Sequence, residues 1–67
     1  MEFEARLKQL REKAGQSQKE VAAALEITLR QYQRFEYGEQ RPGYENLIRI
    51  ADYFNVSLDW LTGRTEE

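Results

Sequence analysis

Apolar residues recur at helical intervals along almost the whole chain, in five runs separated by residues that end helices. The runs are Phe3, Leu7, Leu10 and Ala14; Val21, Ala22 and Leu25; Ile27, Tyr32 and Phe35; Leu47, Ile50, Ala51 and Phe54; and Leu58, Trp60 and Leu61. Steps of three and four residues place such side chains on one face of an α-helix. No segment alternates with period two for long enough to form a strand. The pattern therefore predicts an all-α fold of five short helices.

The second and third helices each begin at a hydroxyl residue, and the two starts are eleven residues apart. Ser17 with Glu20, and Thr28 with Gln31, each match a capping box, in which the hydroxyl accepts an N–H and the Glu or Gln reaches back. We expect these two helices over about residues 17–25 and 28–37. Since the spacing leaves room for one short helix and one tight turn, it predicts a helix-turn-helix.

The other boundaries are marked by turn-forming residues. Gly15 is expected to end the first helix, and Gly63 the last. Asn55 can take the left-handed conformation that ends the fourth helix, after which Ser57 caps the fifth. Two glycines and a proline within residues 38–43 predict a loop between the third and fourth helices.

The third helix has one face for the core and one for solvent. With Tyr32 at zero and about 100° per residue, Phe35 lies beside it. The side chains on the opposite side are Arg30, Gln33, Arg34 and Tyr37. Guanidinium and amide groups are suited to the guanine and adenine edges in a DNA major groove. On an isolated amphipathic helix they would only solvate the exposed face; the helix-turn-helix context favours base contact.

Glu36 is an acid on this same helix, but its angle places it on the inner edge, about 40° from Tyr32. Arg11 has the same angular position relative to Leu7 on the first helix. We therefore expect a largely buried ion pair between Arg11 and Glu36, with a structural role in holding the two helices together.

Composition narrows the function classes. The chain has 67 residues, a net charge of −2, and neither cysteine nor histidine. Disulfides, thiolate or imidazole metal sites and Cys-His or Ser-His nucleophile pairs are excluded, so we expect no enzyme, no metal and no cofactor. No apolar run approaches the ~20 residues of a membrane span, and the start is acidic, unlike a signal peptide. These features predict a single cytoplasmic domain over residues 1–67.

Charge is uneven along the chain. Residues 1–41 hold eight Lys/Arg against seven Asp/Glu, whereas residues 42–67 hold two against five. The small basic excess of the first part means that the helix-turn-helix region is not repelled by phosphate. The overall acidity argues against a protein that coats nucleic acid indiscriminately.

Several motifs in order resemble the phage-repressor/Cro-type, or lambda repressor-like, helix-turn-helix domain over about residues 4–63. They are Ser17-Gln18-Lys19-Glu20-Val21-Ala22, Tyr32-Gln33-Arg34-Phe35-Glu36-Tyr37-Gly38, Arg41-Pro42, Leu47-Ile48-Arg49-Ile50-Ala51 and Asn55-Val56-Ser57-Leu58-Asp59-Trp60-Leu61. The resemblance implies a compact five-helix domain whose helix from Thr28 lies in the major groove, and a sequence-specific transcriptional regulator, most simply a repressor.

Within that frame each candidate residue has an expected contact. The base contacts are Leu29, Arg30, Gln33 and Arg34. The DNA backbone contacts are Gln18, Thr28, Tyr37 and Arg41, and the amide of Gln18 can also brace the third helix. Leu29 stands where the family often has a polar base reader; it cannot hydrogen-bond a base but can pack on a thymine methyl. Glu26 stands where the family's turn normally has glycine, so a positive φ there would cost on the order of 1 kcal/mol.

The expected partner is double-stranded DNA, bound by a weak homodimer on an inverted repeat. The pairing surface would be the fifth helix, around whichever of Leu58 and Leu61 is not used in packing. The alternative is a protein-interaction module, antitoxin-like or anti-repressor-like, with weak or vestigial DNA binding. The outward side of residues 28–41 favours DNA, because it carries Arg30, Arg34 and Arg41 and no outward acid before Glu39.

Overall fold

The computed structural model describes residues 2–64. Its five helices are α1 (Phe3–Lys13), α2 (Gln18–Ala24), α3 (Leu29–Glu36), α4 (Tyr44–Phe54) and α5 (Leu58–Leu61). No strand occurs within these residues. The predicted all-α, five-helix fold is confirmed, and α2 and α3 form the helix-turn-helix. No helix in this part of the chain is long and apolar enough to cross a bilayer.

One core joins all five helices. The most deeply buried side chains are Tyr32, Phe35, Leu7, Ile50, Leu61 and Val21. α3 packs against both α1 and α2, and α5 packs against α1 and α4. Burying a large apolar side chain contributes about 1.5–3 kcal/mol, so this core is the main source of stability in a chain without disulfides. It also fixes the angle at which α3 presents its other face.

Every helix is followed, one or two residues after its last residue, by a residue with a left-handed backbone. The φ angles are 70° at Gly15, 60° at Glu26, 77° at Gly38, 57° at Asn55 and 85° at Gly63. After α2, the Glu26 N–H donates to Ala23 O (3.1 Å) and the Ile27 N–H to Ala22 O (3.0 Å), the hydrogen-bond pair of a Schellman motif. The positive φ considered for Glu26 is therefore present, and an L side chain there is strained.

The residues that begin α2 and α3 confirm one predicted capping box and correct the other. Ser17 and Glu20 form the complete capping box, with hydrogen bonds of 3.0 Å and 2.8 Å. Thr28 forms only half of one: its hydroxyl accepts the Gln31 N–H at 3.0 Å, and no return bond from the Gln31 side chain is present. The expectation of two complete boxes was wrong. A threonine hydroxyl satisfies one of the free N–H groups by itself, which is sufficient to start the helix.

A buried cation that the sequence analysis did not identify ties α1 to α5. Arg6 is 2% exposed, and its Nη1 donates to the Trp60 carbonyl oxygen at 2.6 Å. Its guanidinium carbon lies 4.7 Å from the centre of the Trp60 ring, within range of a cation–π interaction. The pairing fixes α5, which has only four residues, against the first helix.

The packing of α5 also decides which of its leucines faces outward. Leu61 has no exposed surface, whereas Leu58 is half-buried at the edge of the core. Of the two residues expected at a homodimer contact, Leu61 is used entirely by the core. Of these two leucines, only Leu58 can therefore contribute to a homodimer contact through α5.

Candidate nucleic-acid interface

A bidentate ion pair lies on the inner edge of α3. Arg11 Nε donates to Glu36 Oε2 and Arg11 Nη2 to Glu36 Oε1, both at 2.9 Å. The side chains are 14% and 1% exposed, respectively. Arg11 comes from α1, so the pair joins α1 to the last turn of α3. Removing one partner of such a buried pair strands the other charge, which makes each residue structurally important.

Two further groups complete the environment of the Glu36 carboxylate. Tyr32 donates its hydroxyl to Oε2, and Gln18 donates its Nε2 to Oε1 at 3.0 Å. The remaining Arg11 nitrogen, Nη1, donates to the Gln16 carbonyl oxygen at 3.0 Å. Among the described residues, no buried side-chain nitrogen or oxygen lacks a partner. A fully satisfied polar network of this kind stiffens the structure around it.

The network changes the protonation of its members. Burial alone would raise the pKa of Glu36, but hydrogen bonds from Arg11, Tyr32 and Gln18, with the Arg11 charge, lower it below its ordinary value of 4.5. The hydrogen bond to Glu36 raises the pKa of Arg11. Burial, with the hydrogen bond to Glu36, raises the pKa of Tyr32. Glu36 is therefore charged and Tyr32 neutral near pH 7.

Gln18 links this buried network to the outer face of α3. Its Oε1 accepts from Gln33 Nε2 at 3.1 Å, and its Nε2 donates to Tyr37 Oη at 3.3 Å as well as to Glu36. Both hydrogens of its amide and one acceptor position are thus used within the protein. Gln33 keeps its own Oε1 and one N–H for another molecule.

The outer face of α3 forms one open depression of about 320 Å³, lined by Arg30, Gln33, Arg34, Tyr37 and Glu39. Four of these residues were predicted to contact DNA. Glu39 was noted in the sequence only as an acid beyond the helix. The signal that could have placed it is Gly38, which turns the chain back at the end of α3.

The remaining predicted contacts lie around this depression. Leu29 is 39% exposed at the start of α3, and Thr28 precedes it as the helix cap. Arg41 is exposed in the loop after α3, where it borders a small apolar cavity of about 70 Å³ with Phe3, Pro42, Leu47 and Thr62. It is therefore separate from the face that carries the other cations.

A larger open groove, about 480 Å³, lies elsewhere, between the end of α2 and α4. It is lined by Ala24, Leu25, Glu26, Arg49, Asp52 and Tyr53. Arg49 donates to the Leu25 carbonyl oxygen at 3.3 Å and approaches Glu26 at 4.0 Å. None of the residues predicted to contact DNA lines it.

Comparison with known proteins identifies the same domain. A family model described as helix-turn-helix matches residues 7–61. The chain is 38% identical over 64 residues to the cryptic phage CTXphi transcriptional repressor RstR of Vibrio cholerae, covering 96% of this chain and 57% of that protein. It is 36% identical over 66 residues to the HTH-type transcriptional regulator ImmR of Bacillus subtilis, covering 98% and 52%.

Solved structures show the same fold. A transcriptional regulator from Listeria innocua superimposes with a TM-score of 0.89 at 33% identity, over 98% of this chain and 62% of that one. The P22 c2 repressor, in complex with a synthetic operator, superimposes with a TM-score of 0.87 at 21% identity, over 92% and 94%. The chain spans only about half of the length of the curated relatives, 57% of RstR and 52% of ImmR. On the family match and these identities, the chain belongs to the helix-turn-helix family of the phage-repressor/Cro type.

Proposed function

We propose that this protein binds double-stranded DNA sequence-specifically as a transcriptional repressor, with α3 in the major groove. The observation that carries the proposal is the two-sided α3. Its inner edge is fixed by Arg11, Glu36 and Gln18, while its outer face holds guanidinium groups and an amide that keeps one N–H and its oxygen for another molecule. The names of RstR and ImmR, a transcriptional repressor and a transcriptional regulator, support it. The role is one of binding, not catalysis, and would be performed in the cytoplasm.

The proposed base readers divide by chemistry. Arg30 and Arg34 donate bidentately to guanine O6 and N7. Gln33 accepts from adenine N6 through its free Oε1 and donates its remaining N–H to N7, while its other N–H stays on Gln18. Leu29, at the start of the helix, packs on a thymine methyl. The bond to Gln18 holds the Gln33 amide in position before DNA arrives, so less side-chain entropy is lost on binding.

The proposed backbone contacts surround these readers. Because the Gln18 side-chain amide is used within the protein, its phosphate contact is assigned to the main-chain N–H at the start of α2, where the helix dipole favours an anion. The hydroxyl groups of Thr28 and Tyr37 remain able to donate a proton to phosphate. Arg41 contacts phosphate beyond the other end of α3, together with the free N–H groups that begin α4.

A weak homodimer is part of the proposal. One short reading helix covers only a few base pairs, and a net charge of −2 adds little non-specific affinity. Two copies related by a dyad would recognise an inverted repeat with half-sites one helical turn apart. The contact is assigned to α5 around Leu58. The alternative of a protein-interaction module is not favoured, because the outer face of α3 is charged, not apolar.

The test begins with selection of bound sites from random duplex DNA. On the selected site, Arg30→Ala should weaken binding by about 1–3 kcal/mol and relax preference at one base pair. Arg41→Ala should weaken all sequences alike and reduce the salt dependence. Lys8→Ala removes an exposed cation from α1, away from the outer face of α3, and is the matched control. Failure to select any sequence would refute the function, and equal losses of specific and non-specific binding in both variants would refute the division of roles.

A further inference from the structure

One acid lies among the cations of the outer face. Glu39 follows α3 and lines the same depression as Arg30, Gln33, Arg34 and Tyr37. An exposed carboxylate facing DNA is repelled by the phosphates, so it weakens binding unless it makes a compensating contact.

The backbone holds Glu39 in a defined place relative to Arg34. The N–H groups of Glu39 and Gln40 both donate to the Arg34 carbonyl oxygen, at 2.9 and 3.2 Å. This turn depends on the left-handed Gly38, at φ 77°. The Glu39 side chain therefore leaves the chain from a hydrogen-bonded turn whose backbone is held against the backbone of Arg34.

The chemistry of a carboxylate limits what it can contact. It accepts hydrogen bonds but cannot donate, so guanine, thymine O4 and phosphate offer it nothing. The donors in the major groove are cytosine N4 and adenine N6. Beside adenine N6 lies the acceptor N7, which repels the second carboxylate oxygen, whereas cytosine has no acceptor there. Cytosine is therefore the matching base.

We infer that Glu39 is a specificity-determining residue that accepts a hydrogen bond from a cytosine N4 amino group, at or beside the base pair contacted by Arg34. The inference rests on the proposed function and extends it to a residue outside the reading helix. The same charge lowers affinity for DNA that lacks the cytosine, so Glu39 sharpens the difference between specific and non-specific sites.

Two variants separate the hydrogen bond from the charge. Glu39→Ala and Glu39→Gln remove the same charge, but only Gln keeps a carbonyl acceptor, and it adds a donor that suits adenine N6 and N7. Asp52→Ala removes an exposed acid from the other groove and is the matched control. Each protein would be put through the same site selection, followed by titration of the selected duplex with each base substituted in turn.

The expected results differ for each protein. The wild type should prefer cytosine at one pair by about 5- to 150-fold. Glu39→Ala should lose that preference, Glu39→Gln should move it toward adenine, and both should bind non-specific duplex more tightly. Asp52→Ala should select the wild-type site.

Two outcomes would overturn the inference about Glu39 but not the proposed function. If both Glu39 variants bind every sequence more tightly with base preferences unchanged, Glu39 acts only through its charge. If Asp52→Ala changes the preference as Glu39→Ala does, net charge is the cause. In both cases the wild type still selects a site, so the proposed function would stand; a wild type that selects nothing would overturn both.

Discussion

The two long edges of α3 contrast in how their polar groups are used. On the inner edge, the Glu36 carboxylate accepts hydrogen bonds from Arg11, Tyr32 and Gln18, all within 3.0 Å. On the outer edge, Arg30 and Arg34 are exposed and make no side-chain hydrogen bond to any other described residue. The same helix thus carries one satisfied and one unsatisfied set of charges.

The contrast shows how folding and binding costs are divided. The free-energy cost of desolvating and ordering the polar groups around Glu36 arises during folding, where burial of the core compensates for it. The outer set stays exposed to solvent until a ligand pairs with it, so the cost of desolvating and ordering it falls on the binding step. Gln33 lies between the two, because one of its groups is bonded inward and the rest face outward.

The inner edge should give the largest effect on stability. Glu36→Ala leaves the Arg11 guanidinium without its partner in a mostly buried site, so the free energy of unfolding should fall by about 3–5 kcal/mol. Denaturant titration followed by circular dichroism measures it. Glu39→Ala, an exposed acid one turn away, should change stability by less than about 0.5 kcal/mol. Similar small losses in both variants would contradict the assigned contrast.

The outer edge should affect binding and leave stability alone. Gln33→Ala should weaken binding to the selected duplex by about 1–3 kcal/mol, with most of the loss at an adenine. Gln31→Ala is the control, since it removes an amide from the same helix outside the depression. Fluorescence anisotropy titrations with the selected duplex make the comparison. Equal losses in the two variants would mean that the amide at Gln33 has no special place in recognition.

Acid should weaken the inner edge through Glu36. Because its folded pKa lies below 4.5, its stabilising contribution is complete above that pH and is lost as pH falls toward the folded pKa. The wild-type advantage over Glu36→Gln should therefore shrink below about pH 4.5, by at most about 1.4 kcal/mol per pH unit. Urea titrations between pH 7 and 3 measure it. Parallel pH profiles for the two proteins would show that Glu36 does not titrate abnormally.

The turn before α3 belongs to neither edge and should give the smallest effect. Glu26→Gly relieves the strain of φ 60° and should stabilise the protein by about 1 kcal/mol. The lost approach to Arg49 counts for little, because the Glu26 side chain is 80% exposed. Thermal unfolding and DNA binding would be measured together; a destabilised Glu26→Gly, or a stabilised one with altered base preference, would contradict this separation.

Most of the framework was predictable because its signals are local. Helix starts at Ser17 and Ser57, and left-handed ends at Gly15, Asn55 and Gly63, follow from what those residues do within one turn of themselves. The Arg11–Glu36 contact was also within reach, since angles on two amphipathic helices predict which side chains face each other.

The features that the sequence did not predict are contacts between residues that only the tertiary packing brings together. Nothing local marks Arg6 as buried, because its partners are a carbonyl oxygen and a ring that only the packing of α5 brings near. The bracing of the third helix by the Gln18 amide was predicted and is confirmed, but its particular partners, Glu36, Gln33 and Tyr37, depend on the α2–α3 angle. The place of Glu39 in the depression depends on the direction of the chain after Gly38. The contacts with DNA remain predictions.

The Arg6–Trp60 contact has a consequence for the order of folding. Its partners are 54 positions apart, so it closes nearly the whole chain into a loop and carries a large closure entropy. α1, α2 and α3 are closer along the chain and can assemble without it. We therefore expect α5 to dock last during refolding and to open first, so its amide hydrogens should exchange faster than those of α3.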